Sequence, residues 1–397
     1  QPIGQEQRKG TMGSYYSVRD YTAVNPEFGT LEDFKRVVRR AQDLGLRVII
    51  DWVANHTAWD HTWTTEHPEW YLKDSQGRIH SYVYRARPDD PTCEPEYWTD
   101  VVGLDWSRPA LWDAMQAEME FWVHECGIDG FRCDVAALVP IAFWDRMRSR
   151  LDALRAEHGG VFMLAEAHEP IHHRAAFDAT YDWDLFDQLK AIAAGRADAS
   201  ALREWWGRRQ AHYGVEDYRL IYTANHDSNS WQGSCAELFG RGATGSVAVE
   251  AFKAMATLAA LLPGQPLIYG GQEAFLDKRL AFFEKDPIDW KDMPLQTFYR
   301  ELMRLKRDHA ALPNAAPDAP LEWIDTGNEQ VVAFERRLGA HRLAVAVNLS
   351  GAAQTVTLSG AWLPLGATAD SSSGPLSTHC KANSEANSAT SSPVPSP

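Results

Sequence analysis

At 397 residues the chain is long enough for two to three domains and a substantial buried core. Its 54 acidic against 39 basic side chains leave a formal charge of −15, which argues against nucleic acid or an anionic membrane surface as partner, since both reward clustered Lys and Arg. No apolar run approaches the roughly 20 residues that cross a bilayer, and Cys93, Cys126, Cys133, Cys235 and Cys380 are too few, odd in number and wrongly spaced for a disulfide or metal framework.

In chain order, residues 1–13 lack the charged–apolar–small pattern of a secretory signal and have no Met at position 1, so the sequence reads as a fragment or a processed form. Thr30 and Asp33 form a capping-box-like pair, and Leu31, Phe34, Val37, Val38, Ala41 and Leu44 share one face, which predicts a helix ended by Gly45. Residues 47–53 (RVIIDWV) then read as a strand buried on both faces, as parallel strands covered by helices are. The unit recurs: a helix over 108–126 with Pro109 in its first turn precedes a strand at 127–134, and a helix over 144–157 precedes a strand at 161–166. Further strands are expected at 179–185, 218–227 and 265–269, with a helix over 247–262 between the last two. This alternation predicts an α/β fold with a parallel sheet.

Two stretches break the rhythm. Residues 57–104, rich in Trp, His, Pro and Asp, are too long for a simple loop and read as an inserted subdomain. After a helix near 295–309, alternating runs at 331–337, 343–348 and 355–358 predict an antiparallel domain. The domain boundaries expected are therefore 1–56 and 105–312 for the parallel domain, 57–104 for the insertion and 313–368 for the C-terminal β domain. Residues 369–397, rich in Ser, Ala and Pro, are expected to be disordered.

Four of the strands end in ionisable residues: Asp51 with Asn55 and His56 just beyond it, Arg132 with Asp134, Glu166, and His226 with Asp227. In a closed barrel of parallel strands all C-terminal ends face one way, so such groups converge at one mouth. Any one of the acids alone reads as a helix cap or a solvated loop acid. Together, with Arg and His beside them, they read as a site. His168, Glu169 and His172 match a zinc-protease pattern formally, but Pro170 disfavours the helix that pattern needs. Trp59, Trp63, Trp70 and Trp98 of the insertion suit either a small core or the walls of a sugar-binding cleft.

VIIDWVANH at 48–56, GFRCD at 130–134, MLAE at 163–166 and TANHD at 223–227 resemble, in order, the four signature segments of the α-amylase family of glycoside hydrolases. GSYYSVRDY at 13–21, followed by NPEFGT at 25–30, resembles that family's aromatic loop, and GGQE at 270–273 its eighth-strand end. The resemblance implies a TIM-type (β/α)8 barrel and retaining hydrolysis of α-1,4-glucosidic bonds in starch-like glucans. It further implies Asp134 as nucleophile, Glu166 as general acid/base and Asp227 as the third carboxylate. Arg132 would hold Asp134 ionised, His56 and His226 would donate to sugar hydroxyls, Tyr16 would stack on the ring, and Asp51 would be a structural partner. The chemistry needs Glu166 pushed up in pKa while Asp134 stays charged. An exo-acting α-glucosidase, a transglycosylase and a non-catalytic glucan-binding relative are the alternatives.

The sequence departs from the family's pattern in two places. Ala137 and Leu138 stand where α-amylases typically carry Lys-His, which removes two sugar-binding side chains. The Leu138 carbonyl and Asn55 remain as the family's calcium ligands, so calcium at Asn55 is the one cofactor implied, with no organic cofactor. Six strands are countable from residue 47, with Pro2 and Ile3 as the tail of another, so the barrel is expected to lack its first strand–helix unit. The partner expected is an α-glucan or malto-oligosaccharide, with no membrane or nucleic acid, bound by a monomer. A secreted or periplasmic location is favoured over a cytoplasmic one.

Overall fold

The computed structural model describes residues 1–358 apart from 88 and 241, together with the backbone of 368–369 and 378–382. Helix α1 (Leu31–Asp43) opens on the predicted capping box: Thr30 accepts from the Asp33 N–H, and the Asp33 carboxylate accepts from the Thr30 N–H. Strand β1 (Ile49–Val53) follows it. The chain then leaves the sheet at β2 (His56–Ala58) and continues through α2 (Trp63–Glu66), β3 (Ser81–Tyr84) and β4 (Glu96–Gly103), before α3 (Pro109–Cys126) leads back. Strands β5 (Gly130–Asp134), β6 (Phe162–Ala165), β7 (Ala179–Tyr181), β8 (Tyr218–Tyr222) and β9 (Gln265–Leu267) complete one parallel sheet, in the order β1-β5-β6-β7-β8-β9. Connecting helices α4 (Ile141–Leu154), α5 (Trp183–Ala193), α6 (Ser200–His212), α7 (Cys235–Phe239) and α8 (Gly245–Leu261) supply its cover, and α9 (Gln296–Asp308) follows β9. Among the described residues no helix is long and apolar enough to cross a membrane.

Burial explains the strand compositions. All of β5 is buried, with Phe131 and Cys133 packed into the same core as Met115, Met119 and Trp122 of α3. A Cβ added at Gly130 would lie 1.9 Å from the Phe162 carbonyl oxygen, so the close approach of β5 to β6 demands glycine. Helix α8 is apolar on nearly every side because sheet, neighbouring helices and C-terminal domain surround it.

The insertion is a three-stranded antiparallel sheet, ordered β2-β4-β3. The C-terminal domain pairs β10 (Leu321–Ile324), β11 (Val331–Leu338) and β12 (His341–Asn348) antiparallel, with a separate short pair of β13 (Val356–Thr357) and β14 (Thr368–Ala369).

Several expectations need correction. The strand expected over 179–185 stops at Tyr181, because Asp182 accepts from the Leu185 N–H and caps α5. The helix expected from residue 144 begins at Ile141, right after Pro140 at its N-cap. Ile3 is not part of the parallel sheet: it bridges Val18 in antiparallel fashion, and the Gly4 N–H donates to the Ser17 carbonyl. Within the tail expected to be disordered, β15 (Thr378–Ala382) pairs with β12, whose free edge offers it a ladder of backbone hydrogen bonds. Residues 370–377 and 383–397 of that tail lie outside the described residues.

Candidate active site

Strand alternation aims the charged groups. In β5, Arg132 and Asp134 are two residues apart and share a face, while Phe131 and Cys133 turn to the helices. Strand β1 pairs with β5 in a register that sets Asp51 directly beside Arg132. Glu166 lies one residue past β6, and its N–H donates to the Cys133 carbonyl.

The Arg132 guanidinium is the hub. Its Nη1 donates to Asp51 Oδ1 and to Asp134 Oδ1, each at 2.8 Å, and its Nη2 lies 2.9 Å from Glu166 Oε1. Its Nε donates to the Tyr181 hydroxyl at 3.2 Å. The other Glu166 oxygen accepts the Val135 N–H at 2.7 Å. Val135 adopts φ 36°, a left-handed conformation rarely taken by a β-branched residue, and this turns that N–H toward the carboxylate.

Tyr16 links this cluster to the end of β8. Its hydroxyl donates to Asp51 Oδ2 at 2.8 Å and lies 2.8 Å from His226 Nε2, while its ring sits over Arg132 at 5.6 Å. His226 Nε2 is 3.2 Å from Asp227 Oδ2. Asp227 therefore joins Asp134 and Glu166 through an unbroken chain of contacts, and it is the most solvent-open carboxylate of those three.

Electrostatics revise one expectation. Burial first, and the Glu166 charge second, push the Asp134 carboxyl well above the usual carboxylate range, against the pull of Arg132. Arg132 is not reserved for Asp134, since it touches Glu166 as well. The neighbouring Glu166 charge thus opposes ionisation of Asp134, while the Arg132 guanidinium favours it.

His56 is buried and held neutral, its pKa lowered to about 4 by desolvation. Its Nδ1 lies 3.1 Å from Asn55 Nδ2, its ring hydrogen-bonds the Tyr16 backbone, and Trp98 stands edge-on to it at 5.5 Å. Of the four tryptophans of the insertion, Trp63 and Trp70 are buried in its core, so Trp98 is the one that borders this histidine.

Asn55 is the residue expected to hold calcium. Its amide faces His56 and hydrogen-bonds the Tyr82 hydroxyl. Asp100, the buried acid nearest in charge to His56, is paired with Lys9 at 2.8 Å. Among the described residues no group of three or more His, Cys, Asp and Glu side chains could hold a metal ion. At the zinc-protease-like pattern, Pro170 opens a four-residue 3-10 turn instead of the helix that two ligating histidines require.

A cavity of about 560 Å³ adjoins the site at Tyr16, Asp51 and His226 and runs past Phe282 toward Phe34 and Trp122. Sequence reasoning missed Tyr181 and the Val135 N–H. The first could have been found by following the inward alternation of the 179–181 strand; no residue signal marks the second.

Comparison with known proteins bears on the family and the fold. The model of the family described as "Alpha amylase, catalytic domain" matches residues 2–315. An alpha-amylase of Haloarcula japonica is 25% identical, over 86% of this chain and 49% of its own length. An alpha-1,4-glucan:maltose-1-phosphate maltosyltransferase of Salinibacter ruber is 27% identical, over 88% of this chain and 53% of its own. The chain thus spans about half the length of these curated relatives. Among solved structures, a noncanonic maltogenic alpha-amylase from Thermotoga neapolitana superposes with TM-score 0.76 at 29% identity, covering 90% of this chain and 77% of the other.

Proposed function

The chain belongs to the alpha-amylase family of glycosidases, and from that premise we propose that it hydrolyses α-1,4-glucosidic bonds of starch-like glucans with retention of configuration. The observation that carries the proposal is the sharing of one guanidinium by Asp134 and Glu166. A guanidinium held by both keeps the two carboxyls about one small site, and a retaining mechanism needs its pair roughly 5–5.5 Å apart.

Glu166 gives its proton to the leaving glucosidic oxygen while an Asp134 oxygen attacks the anomeric carbon, so that the C–O bond to the leaving sugar breaks and a glycosyl–Asp134 ester forms. Glu166, now ionised, takes a proton from water as that water attacks the ester. Asp134 is released, and the proton returns to Glu166. In this scheme Glu166 carries the proton when the sugar binds, and the Arg132 hydrogen bond steadies the Asp134 oxygen that attacks. Asp227 and His226 stand where hydroxyls of the bound ring would meet them, and the neutral His56 backs the Tyr16 loop.

A second reading is transfer of the glycosyl group to a sugar hydroxyl in place of water, which the likeness to a maltosyltransferase favours. Trapping tests the shared step. A fluorinated α-glucosyl fluoride is expected to label Asp134, as read by peptide mass spectrometry, and to leave Asp134→Asn unlabelled. Asp134→Asn or Glu166→Gln should lower kcat on soluble starch by about 10³-fold or more with unchanged melting curves. Near-wild-type turnover in either variant overturns the assignment, and disaccharide or longer transfer products in place of hydrolysis select the second reading.

A further inference from the structure

Beyond the carboxylates the mouth of the site carries aromatic surface that serves no core. Trp231 lies in the π-helical turn Ser228–Gln232 that directly follows Asp227, and it is 57% exposed. Its ring leans on Phe282 at 5.4 Å and on Phe283 at 6.0 Å. Phe282 in turn lies nearly parallel to Tyr16, 19° apart with centroids at 6.3 Å, and 6.2 Å from His226. Three rings thus run outward in the order Tyr16, Phe282, Trp231.

Both segments that carry the outer rings are fastened in place. Asn229 Nδ2 donates to the Lys278 carbonyl at 3.0 Å, and Asn229 Oδ1 accepts from the Leu280 N–H at 2.9 Å. Asp286 pairs with Lys278 and accepts from the Ala281 N–H, while the Met12 N–H donates to the Phe283 carbonyl at 2.9 Å. An exposed tryptophan on a segment fastened in this way is organised before any ligand arrives, which lowers the cost of binding one. Flat apolar rings on a rigid floor match the C–H faces of pyranose rings, and tryptophan offers the largest such face.

We propose that Phe282 and Trp231 continue the Tyr16 surface as a stacking platform for the glucose units beyond the reacting one, on the side of the chain that stays attached to Asp134. The order of contacts sets the side. Along the run of contacts Glu166, which meets the leaving oxygen, precedes Arg132 and Tyr16, whereas Phe282 and Trp231 follow Tyr16 and His226. The ligand class is a malto-oligosaccharide of several units, and the inference rests on the glycosidase reading above.

Trp231→Ala tests it, with Trp231→Phe as the conservative variant that keeps a ring. The ratio of kcat/KM for maltoheptaose to kcat/KM for 4-nitrophenyl α-glucoside should fall about tenfold in Trp231→Ala and stay within about threefold of wild type in Trp231→Phe. With reducing-end-labelled maltoheptaose, the labelled fragment should lengthen, because fewer units are held on the retained side. An unchanged ratio, or a shortened labelled fragment, overturns the proposal. Titration calorimetry of maltoheptaose into Glu166→Gln, with and without Trp231→Ala, separates this inference from the catalytic one. A Kd about tenfold weaker on loss of Trp231 supports the platform even if no hydrolysis is found, and an equal Kd rejects it even if hydrolysis is normal.

Discussion

Arg132 and Lys306 are both buried cations, and their surroundings are opposite. Around Arg132 stand Asp51, Asp134 and Glu166, so its charge is more than matched. Lys306, on α9, is 8% exposed, its Nζ has no hydrogen-bond partner among the described residues, and its charged neighbours are Arg336 and Arg209. Burial, then those two guanidinium groups, bring its pKa down to about 7. Arg336 spends its own donors on the Leu261 and Pro313 carbonyls at 3.2 and 3.0 Å, so backbone dipoles absorb a charge that no carboxylate meets. Compensation marks the place where charge is used in chemistry; its lack marks a place where charge only detracts from stability.

Removing each cation should therefore have opposite effects. Arg132→Met strands three acidic groups that share one small volume, and kcat/KM on starch should fall by about 10³-fold or more. Urea unfolding should show a loss of about 3–5 kcal/mol, the usual cost of breaking a buried ion cluster from one side. Activity within tenfold of wild type would break the comparison at its strong end.

Next in size is the response to acid. His56, His61 and His173 are each held near pKa 4 by burial, below the value near 6.5 that they have when unfolded. The unfolded chain therefore binds more protons between those values, so stability should be full above pH 6.5 and decline toward pH 4. Each histidine contributes a slope of up to about 1.4 kcal/mol per pH unit. Unfolding midpoints across that range check the sum, and His61→Gln should make the slope shallower by one proton's share.

Smallest is the gain expected from Lys306→Met, about 2 kcal/mol near neutral pH with kcat/KM unchanged, because an unpaired amine is exchanged for an apolar chain of similar length. The folded protein holds Lys306 below its unfolded value of 10.5, so the benefit should be greatest at and below pH 7 and vanish above about pH 10.5. A destabilised Lys306→Met would reveal a partner for the amine and sharpen the comparison from its weak end.

The reach of sequence reasoning followed the range of the interactions. Local signals sufficed for α1, where Thr30 and Asp33 cap each other, and for β5, whose apolar run and strand-end acid lie within five residues. The contact of Arg132 with Asp51 was hidden because it depends on β1 and β5 being sheet neighbours, although 81 positions separate the two side chains. Helix α5 went unread because Asp182 both ends a short strand and caps a helix, and the two patterns overlap. Trp231 and Phe282 carried no periodic signal, since loop residues meet through tertiary docking, not through spacing. The four signature segments, by contrast, mark the acids within short local stretches of chain.

Val135 shows what the site asks of its scaffold. A valine forced to a left-handed backbone costs on the order of 1–3 kcal/mol, and here the return is one amide aimed at Glu166. Heat tolerance and turnover thus make opposing demands on a single peptide unit. Glycine there would relax the turn and free the Glu166 carboxylate to wander, so evolution toward a hardier protein would have to find its gains elsewhere in the chain.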